Sequence, residues 1–314
     1  MRRSCKNSLF MFVLLFKKYF SIIIIKMAAT IEIMGGLGNQ LFQIFTLISY
    51  SIREKKPFYF ENKPITCGER KKYYWDTPLL NKLKGFIKPP LLHQQSLIIY
   101  QEPFFHYASI PPAKDKTANI KLNGYFQSYK YFEEHKEVIL QMINLKEVQQ
   151  QIKEKVASYL PTTEFEKIVS LHFRVGDYAK LQQYHPLMSV EYYEKALKQM
   201  LIDTGENDLF ILYFCEENDI VYVNEKINYL KQNTKFKELT FIKVPNHLDD
   251  WEQMILMSLC QHHIIANSTF SWWGAYFGEG NGLVYYPSKW FGPALGEKKM
   301  DDLFLQEGWK KITV

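Results

Sequence analysis

The chain is short of the features that mark a metal or redox protein. Its 314 residues include four cysteines, Cys5, Cys67, Cys215 and Cys260. No two form a CxxC pair and none belongs to a Cys/His ligand pattern, which argues against a zinc site. Cys215 and Cys260 lie inside apolar runs and read as small core residues. Nothing in the set requires an oxidising compartment. Low-complexity tracts and internal repeats are also missing, so neither a disordered scaffold nor a solenoid is indicated. The body of the chain has no excess charge either. The formal net charge is +6, from 39 basic and 33 acidic residues. Arg2, Arg3, Lys6, Lys17, Lys18 and Lys26 all fall within residues 1–26, where there is no acid, so 33 basic residues face 33 acidic ones in the rest. A neutral body lacks the basic face of a nucleic-acid binder, and only a local basic pocket is left to hold an anion.

What is present is a globular composition, 47% hydrophobic, 16% aromatic and 23% charged. That suffices for two modest cores, and the length suggests two domains. Residues 1–26 stand apart. Leu9–Phe16 and Tyr19–Ile25 are apolar but Lys17–Lys18 interrupts them. A membrane span needs about 20 mostly apolar residues, and each central lysine opposes insertion by about 2.5–3.5 kcal/mol. The segment reads as a leader, with Met27 as a second start, and a membrane anchor as the alternative. A cytoplasmic protein is the expectation, with association through residues 1–26 the other reading.

From residue 27 onward the pattern is that of an α/β fold. Ile31–Met34 is a short apolar strand, Gly35–Gly38 a turn, and Gln40 to about Lys55 a helix with Leu41, Ile44, Phe45 and Ile48 on one face. Pro57–Phe60 reads as the next strand, so the chain opens like a doubly wound sheet. Lys63–Ala118 shows no clear period. Ile120–Leu122 reads as a strand before Asn123–Gln127, and Tyr131–Leu160 as helical. Pro161–Lys167 marks a domain boundary, giving units 27–160 and 161–314.

The second unit alternates regularly. Strands are expected at Ile168–Phe173, Leu209–Cys215, Thr240–Val244, His263–Ala266 and, last, Leu283–Tyr286. Helices are expected at Val190–Ile202, Asn218–Leu230, Asp249–Gln261 and Thr269–Phe277. Such alternation implies a parallel sheet with right-handed crossovers and a ligand beyond the carboxyl ends of the strands.

Three motifs fall at such ends. Gly35–Gly36–Leu37–Gly38–Asn39–Gln40 lets a backbone approach a phosphate or sugar, or is simply a tight turn. It lacks the third glycine of a dinucleotide fingerprint, where Leu41 stands, and Glu61 is the nearest acid for a ribose, so an NAD-dependent oxidoreductase is disfavoured. In His172–Phe173–Arg174–Val175–Gly176–Asp177, Arg174 can fork onto a diphosphate and neutralise a pyrophosphate leaving group, with Asp177 orienting it. His172 can bond a phosphate or a sugar hydroxyl. The plainer alternative is a structural ion pair at a strand end. Asn267–Gly274 opens a helix at Ser268–Thr269, where free N–H groups make an anion site and Ser268 can also cap. Trp272 and Trp273 offer rings for a sugar or base, although adjacent helical positions face different ways. Asn267–Ser268–Thr269 is also a glycosylation sequon, read as unmodified because a glycan there would disrupt packing.

The ordered set GGLGNQ, GYFQS, HFRVGD and NSTFSWWGA, spanning about Ile31 to Trp290, resembles glycosyltransferase family 11, the α-1,2-fucosyltransferases. The resemblance implies a GT-B-like fold, with two Rossmann-like doubly wound domains facing a central cleft. It implies GDP-fucose as donor, a galactose-containing glycan as acceptor, inversion at the anomeric carbon, no cofactor and no required metal. His172, Arg174 and Asp177 match the family's H-x-R-R-x-D motif as catalytic candidates, and Val175 departs from its second arginine. The resemblance also places Gly36, Gly38, Asn39 and Gln40 with Ser268, Thr269 and Phe270 around the donor. Tyr125, Gln127 and Trp273 are candidates for the acceptor. A general base should help the transfer; His172, Asp177, Asp249 and Asp250 are candidates, and the base stays unassigned. The alternatives are another nucleotide sugar or linkage, and an inactive sugar-binding homologue.

Overall fold

The computed structural model describes residues 28–65, 71–90, 97–112, 115, 117–160, 162, 164–278 and 282–314. The leader expected over residues 1–26 therefore lies outside the described residues, as do Cys5 and Cys67. Among the described residues no helix is long and apolar enough to cross a membrane.

The architecture is α/β and GT-B-like, two units with parallel sheets on either side of a cleft. In the N-terminal unit β1 is Ala29–Ile31, α1 Leu37–Glu54, β2 Phe60–Glu61, β3 Ile87–Lys88, β4 Leu97–Gln101 and β5 Asn119–Asn123. β5 lies between β1 and β4, both parallel to it. β2 pairs with β3, and a parallel bridge from Ala29 to Phe58 ties this ribbon to β1. The strand expected at Ile31–Met34 thus lies two residues earlier, and the stretch given no structure between Lys63 and Ala118 contains β3 and β4. Neither was visible because β3 has two residues and β4 exposes Leu97, Ile98 and Ile99 at the sheet edge, so burial imposes no alternation.

Two helices follow, α2 at Lys136–Met142 and α3 at Leu145–Val156. The helical segment expected from about Tyr131 to Leu160 is interrupted at Asn144, which takes a left-handed φ of 55°, a conformation Asn tolerates better than most residues. α3 packs on the C-terminal unit, where Gln149 Nε2 donates to Ser258 Oγ (3.0 Å) and to the Phe277 carbonyl (3.1 Å).

The C-terminal unit runs β6 Ile168–His172, α4 Val190–Thr204, β7 Phe210–Phe214, α5 Ile220–Lys231, β8 Thr240–Lys243, α6 Asp250–Leu259, β9 His262–Ile264, α7 Thr269–Tyr276, β10 Val284–Pro287 and β11 Trp309–Ile312. The sheet order is β11-β10-β9-β6-β7-β8, all parallel. β10 is therefore not the last strand, as expected; the mixed Trp309–Lys310–Lys311–Ile312 gave no clear strand signal because it is an edge strand only partly buried. α6 begins with a reciprocal cap between Asp249 and Glu252, and α4 ends at Gly205 with φ 72°.

An aromatic block joins the units. α1 contributes Phe42 and Phe45, α7 contributes Trp272 and Trp273, and Phe132 completes the cluster, with ring centroids 4.5–5.9 Å apart. All five are fully buried. Each such ring, truncated to Ala, typically costs about 3–5 kcal/mol, so one end of the contact between units is firmly packed and the other end is left open as the cleft.

Candidate active site

The cleft forms beyond the carboxyl ends of strands from both sheets. In the C-terminal sheet β6 and β9 are neighbours, and the chain winds outward from them in opposite directions, which opens a crevice beyond their carboxyl ends. His172–Asp177 follows β6 and Asn267–Phe270 follows β9. In the N-terminal sheet β1 and β5 are also neighbours, and they are followed by Gly35–Gln40 and Gly124–Gln127. These segments surround a cavity of about 490 Å³, within the usual range for ligand sites.

The two walls differ in charge. The N-terminal wall presents Gly35, Gly36, Leu37, Gly38, Asn39, Tyr125 and Gln127, none of them ionised near neutrality. Every charged side chain of the described lining comes from the C-terminal unit: Arg174, Asp177, Glu216, Glu217 and Asp250. Arg174 is the one Lys or Arg among them. Val175, where the resemblance has a second arginine, is packed into the C-terminal core and does not line the cavity.

Arg174 is held on both sides. Its Nη1 donates to Glu216 Oε1 at 2.7 Å and its Nη2 to Asp177 Oδ1, and its guanidinium lies 4.8 Å from the centre of the Tyr178 ring. The turn below is shaped by Gly176 at φ 40°, whose N–H donates to Asp219 Oδ2 at 2.9 Å. His172 is buried, its ring 5.5 Å from that of Phe270. Beside it Ser268 caps α7 through its hydroxyl, which accepts from the Phe270 N–H at 3.3 Å. Ser268, Thr269 and Phe270 bring the positive end of α7 to the cavity. His185 stacks on Tyr178 at 4.7 Å and 18°, and Phe291 closes the group, 5.8 Å from His185 and 4.6 Å from Phe105 of the other unit.

Asn39 links the walls. Its Oδ1 accepts from Gln127 Nε2 and from Thr269 Oγ1, both at 2.9 Å. Gly38 lies so close to Thr269 that a Cβ there would sit 2.6 Å from the Thr269 carbonyl carbon. The glycine motif is thus a tight turn, with Gly35 at φ 75°, and also a surface on which the second unit rests. Next to Tyr125 but outside the cavity lining, Glu102 follows β4, and its Oε2 accepts from the N–H groups of Tyr125 (2.8 Å) and Phe126 (3.0 Å). Phe126 is in turn left-handed, φ 52°. Burial raises the Glu102 carboxyl to about 7 despite those two bonds.

Three candidates of the sequence are not brought to the cavity. Gln40 is buried, and its Nε2 braces the carbonyls of Gly35 (2.9 Å) and Lys72 (2.8 Å). Trp273 is fully buried in the aromatic block, because α7 turns both tryptophans toward α1. Asp249 is spent on capping α6. Asp250 does line the cavity, accepting from the Tyr74 hydroxyl and lying 3.6 Å from Lys72. Glu61 is buried against Lys63 (3.0 Å) and Lys121 (2.9 Å) and does not line the cavity. Asn267 is buried, its amide donating to the Pro186 and Trp290 carbonyls, which fits an unmodified sequon. Cys260 is core, while Cys215 borders the cavity with its thiol pushed up to about 11 by burial. Tyr178, His185 and Glu216 of the lining escaped the sequence reading, as did Glu102 behind Tyr125. A strand-end acid after the apolar run to Cys215 was the signal for Glu216; His185, in an aperiodic loop, gave none.

A family model described as Glycosyl transferase family 11 matches residues 3–313. The O-antigen biosynthesis glycosyltransferase WbnK of Escherichia coli is 30% identical over 303 residues, covering 82% of this chain and 93% of that protein. An alpha-1,2-colitosyltransferase of the same organism is 28% identical over 184 residues, covering 55% of this chain and 57% of that one. Among solved structures, a point mutant of Arabidopsis thaliana FUT1 in complex with GDP matches with a TM-score of 0.47 and 10% identity, covering 89% of this chain and 75% of that one.

Proposed function

The chain belongs to glycosyl transferase family 11, and from that membership we propose that it moves L-fucose from GDP-fucose to the 2-hydroxyl of a galactoside, with inversion. The observation that carries this reading is the division of charge across the cavity. Among the described lining residues the one Lys or Arg, Arg174, stands beside the N-terminus of α7 on one wall, and the opposite wall carries no Asp, Glu, Lys or Arg. A GDP diphosphate needs the former; an uncharged sugar suits the latter.

In this reading the diphosphate takes the place of Glu216 at Arg174 Nη1, while Asp177 keeps hold of Nη2 and so fixes the plane of the guanidinium. As the bond from the anomeric carbon to the diphosphate breaks, Arg174 and the N–H groups at Ser268–Phe270 stabilise the charge left on GDP. No resident metal is called for in this scheme. Asn39 couples the two walls, and Tyr125 and Gln127 hold the acceptor. A second reading, transfer of another sugar, has the colitosyltransferase relative in its favour.

The test is release of GDP from GDP-fucose in the presence of a panel of galactosides, with the product linkage read by NMR. An α-1,2-fucosylated galactoside is expected. Turnover only with a colitosyl donor selects the second reading. GDP binding without turnover on any donor selects an inactive homologue.

A further inference from the structure

A donor that carries a diphosphate meets, in the described lining, the carboxylates of Asp177, Glu216, Glu217 and Asp250 and one Lys or Arg. Asp177 and Glu216 hold Arg174. Glu217 and Asp250 need another reason to face an anion, and their place in the sheet supplies it. Along the carboxyl edge of the C-terminal sheet the strands run β9, β6, β7, β8. The anion-binding groups, Ser268–Phe270 and Arg174, follow β9 and β6. Glu216 and Glu217 follow β7, while Asn246 and Asp250 come from the connection between β8 and α6, and all four line the cavity. Neighbouring strands lie about 4.8 Å apart, so β8 is about 10 Å from β6, the reach of a nucleoside whose diphosphate rests on Arg174. A nucleotide laid along this edge brings its ribose over β7, where acids suit its hydroxyls as they do in dinucleotide-binding folds, and its base over β8. On the other side, after β10, the lining residues are Trp290 and Phe291, which carry no carboxylate.

We propose that Asp250 selects the base of the donor, accepting from guanine N1–H and from its 2-amino group, an inference that rests on the GDP-fucose reading above. An ionised carboxylate only accepts, through about four lone-pair sites on two oxygens. Guanine offers it two adjacent donors on one edge. Adenine and cytosine set an acceptor beside their amino group, and uracil has its one N–H between two carbonyls. The side chain is held in position for this task. Its Oδ2 accepts from the Tyr74 hydroxyl and its Oδ1 from the Trp251 N–H at 2.9 Å, with Lys72 at 3.6 Å. Tyr74 is buried, so its hydroxyl is a fixed point on the N-terminal unit. A carboxylate fixed in this way gives up little rotamer freedom when the base arrives. Asn246 lies on the same connection. Its Oδ1 accepts from Lys243 Nζ at 2.7 Å, and its amide nitrogen, a donor, suits guanine O6.

The test is calorimetric binding of GDP, inosine diphosphate and xanthosine diphosphate to the full chain and to Asp250→Asn. Inosine diphosphate lacks the 2-amino group, and xanthosine diphosphate has a carbonyl in its place. The wild type should bind GDP about 10- to 100-fold more tightly than inosine diphosphate, the scale of one hydrogen bond to a charged group. It should bind xanthosine diphosphate more weakly still, because two acceptors then face each other. Asp250→Asn turns one acceptor into a donor, so this variant should bind xanthosine diphosphate more tightly than GDP. A residue that only supports the fold would not produce that inversion. The wild-type order kept in the variant, or all three ligands weakened by the same factor, would overturn the proposal. The wild-type comparison stands without the variant: equal affinity for GDP and inosine diphosphate means that no acceptor meets the 2-amino group, and overturns it as well. A wild type that prefers the diphosphate of another base would sink the GDP-fucose reading together with it, whereas a preference for GDP that survives in Asp250→Asn sinks the role of Asp250 alone.

Discussion

The two units solve the same topological problem with different chemistry. Each places a pair of motifs after two neighbouring parallel strands, β1 and β5 in one and β6 and β9 in the other. The C-terminal pair carries an arginine and a helix N-terminus, on the unit that also supplies all the carboxylates of the described lining; the N-terminal pair carries glycines and amides. The lesson is that a shared fold fixes where a ligand goes, while the side chains after the two strand pairs decide which part of it each wall receives.

That contrast is most easily broken at Arg174. Arg174→Ala should lower kcat about 100- to 1,000-fold, as removal of a donor to a developing anion does elsewhere, with little change in the acceptor KM. Near-full activity would mean that the diphosphate is neutralised by something other than the C-terminal wall.

The same contrast explains what could be read in advance. The C-terminal strands β6, β7 and β9 are almost wholly buried. They lie in apolar runs separated by helices, so periodicity and length located them to within a few residues. The N-terminal strands are short, and β4 exposes Leu97–Ile99 at the edge, so its pattern carries no buried face to detect. The site follows suit. Arg174, Asp177, Asn39, Tyr125 and Gln127 are legible because motifs flank strand ends. Trp273 and Gln40 were misplaced because motif membership says nothing of which way a helical side chain turns, and packing of α7 on α1 decided it. Glu102 and His185 are set by tertiary contacts alone, and no local rule marks them.

Asn39→Ala sharpens the comparison further. Its Oδ1 is shared by Gln127 of one wall and Thr269 of the other, so its loss should uncouple them. Turnover should fall about tenfold, the scale of one hydrogen bond to a polar group, with the melting temperature nearly unchanged. A drop in melting temperature with full turnover would make the residue a brace and nothing more.

The smallest effect on turnover is expected on the acceptor side. Glu102 releases its proton at about 7 in the fold but at about 4.5 when unfolded. Between those values the folded state binds more protons, so stability from this group falls as pH rises, by no more than about 3 kcal/mol in all. Glu102→Gln should flatten this slope in urea unfolding between pH 5 and 7.5, while keeping one acceptor for Tyr125 and Phe126 and most of the transfer activity. Identical slopes in the two proteins would show that the carboxyl is not held up by burial.

The most direct test of the division of labour is a crystal structure of the full chain with GDP. The account predicts the β-phosphate within hydrogen-bond distance of the Arg174 guanidinium and of the N–H groups at Ser268–Phe270, with Glu216 moved aside. A diphosphate seated instead on Gly35–Gly38, leaving Arg174 paired with Glu216, would contradict it.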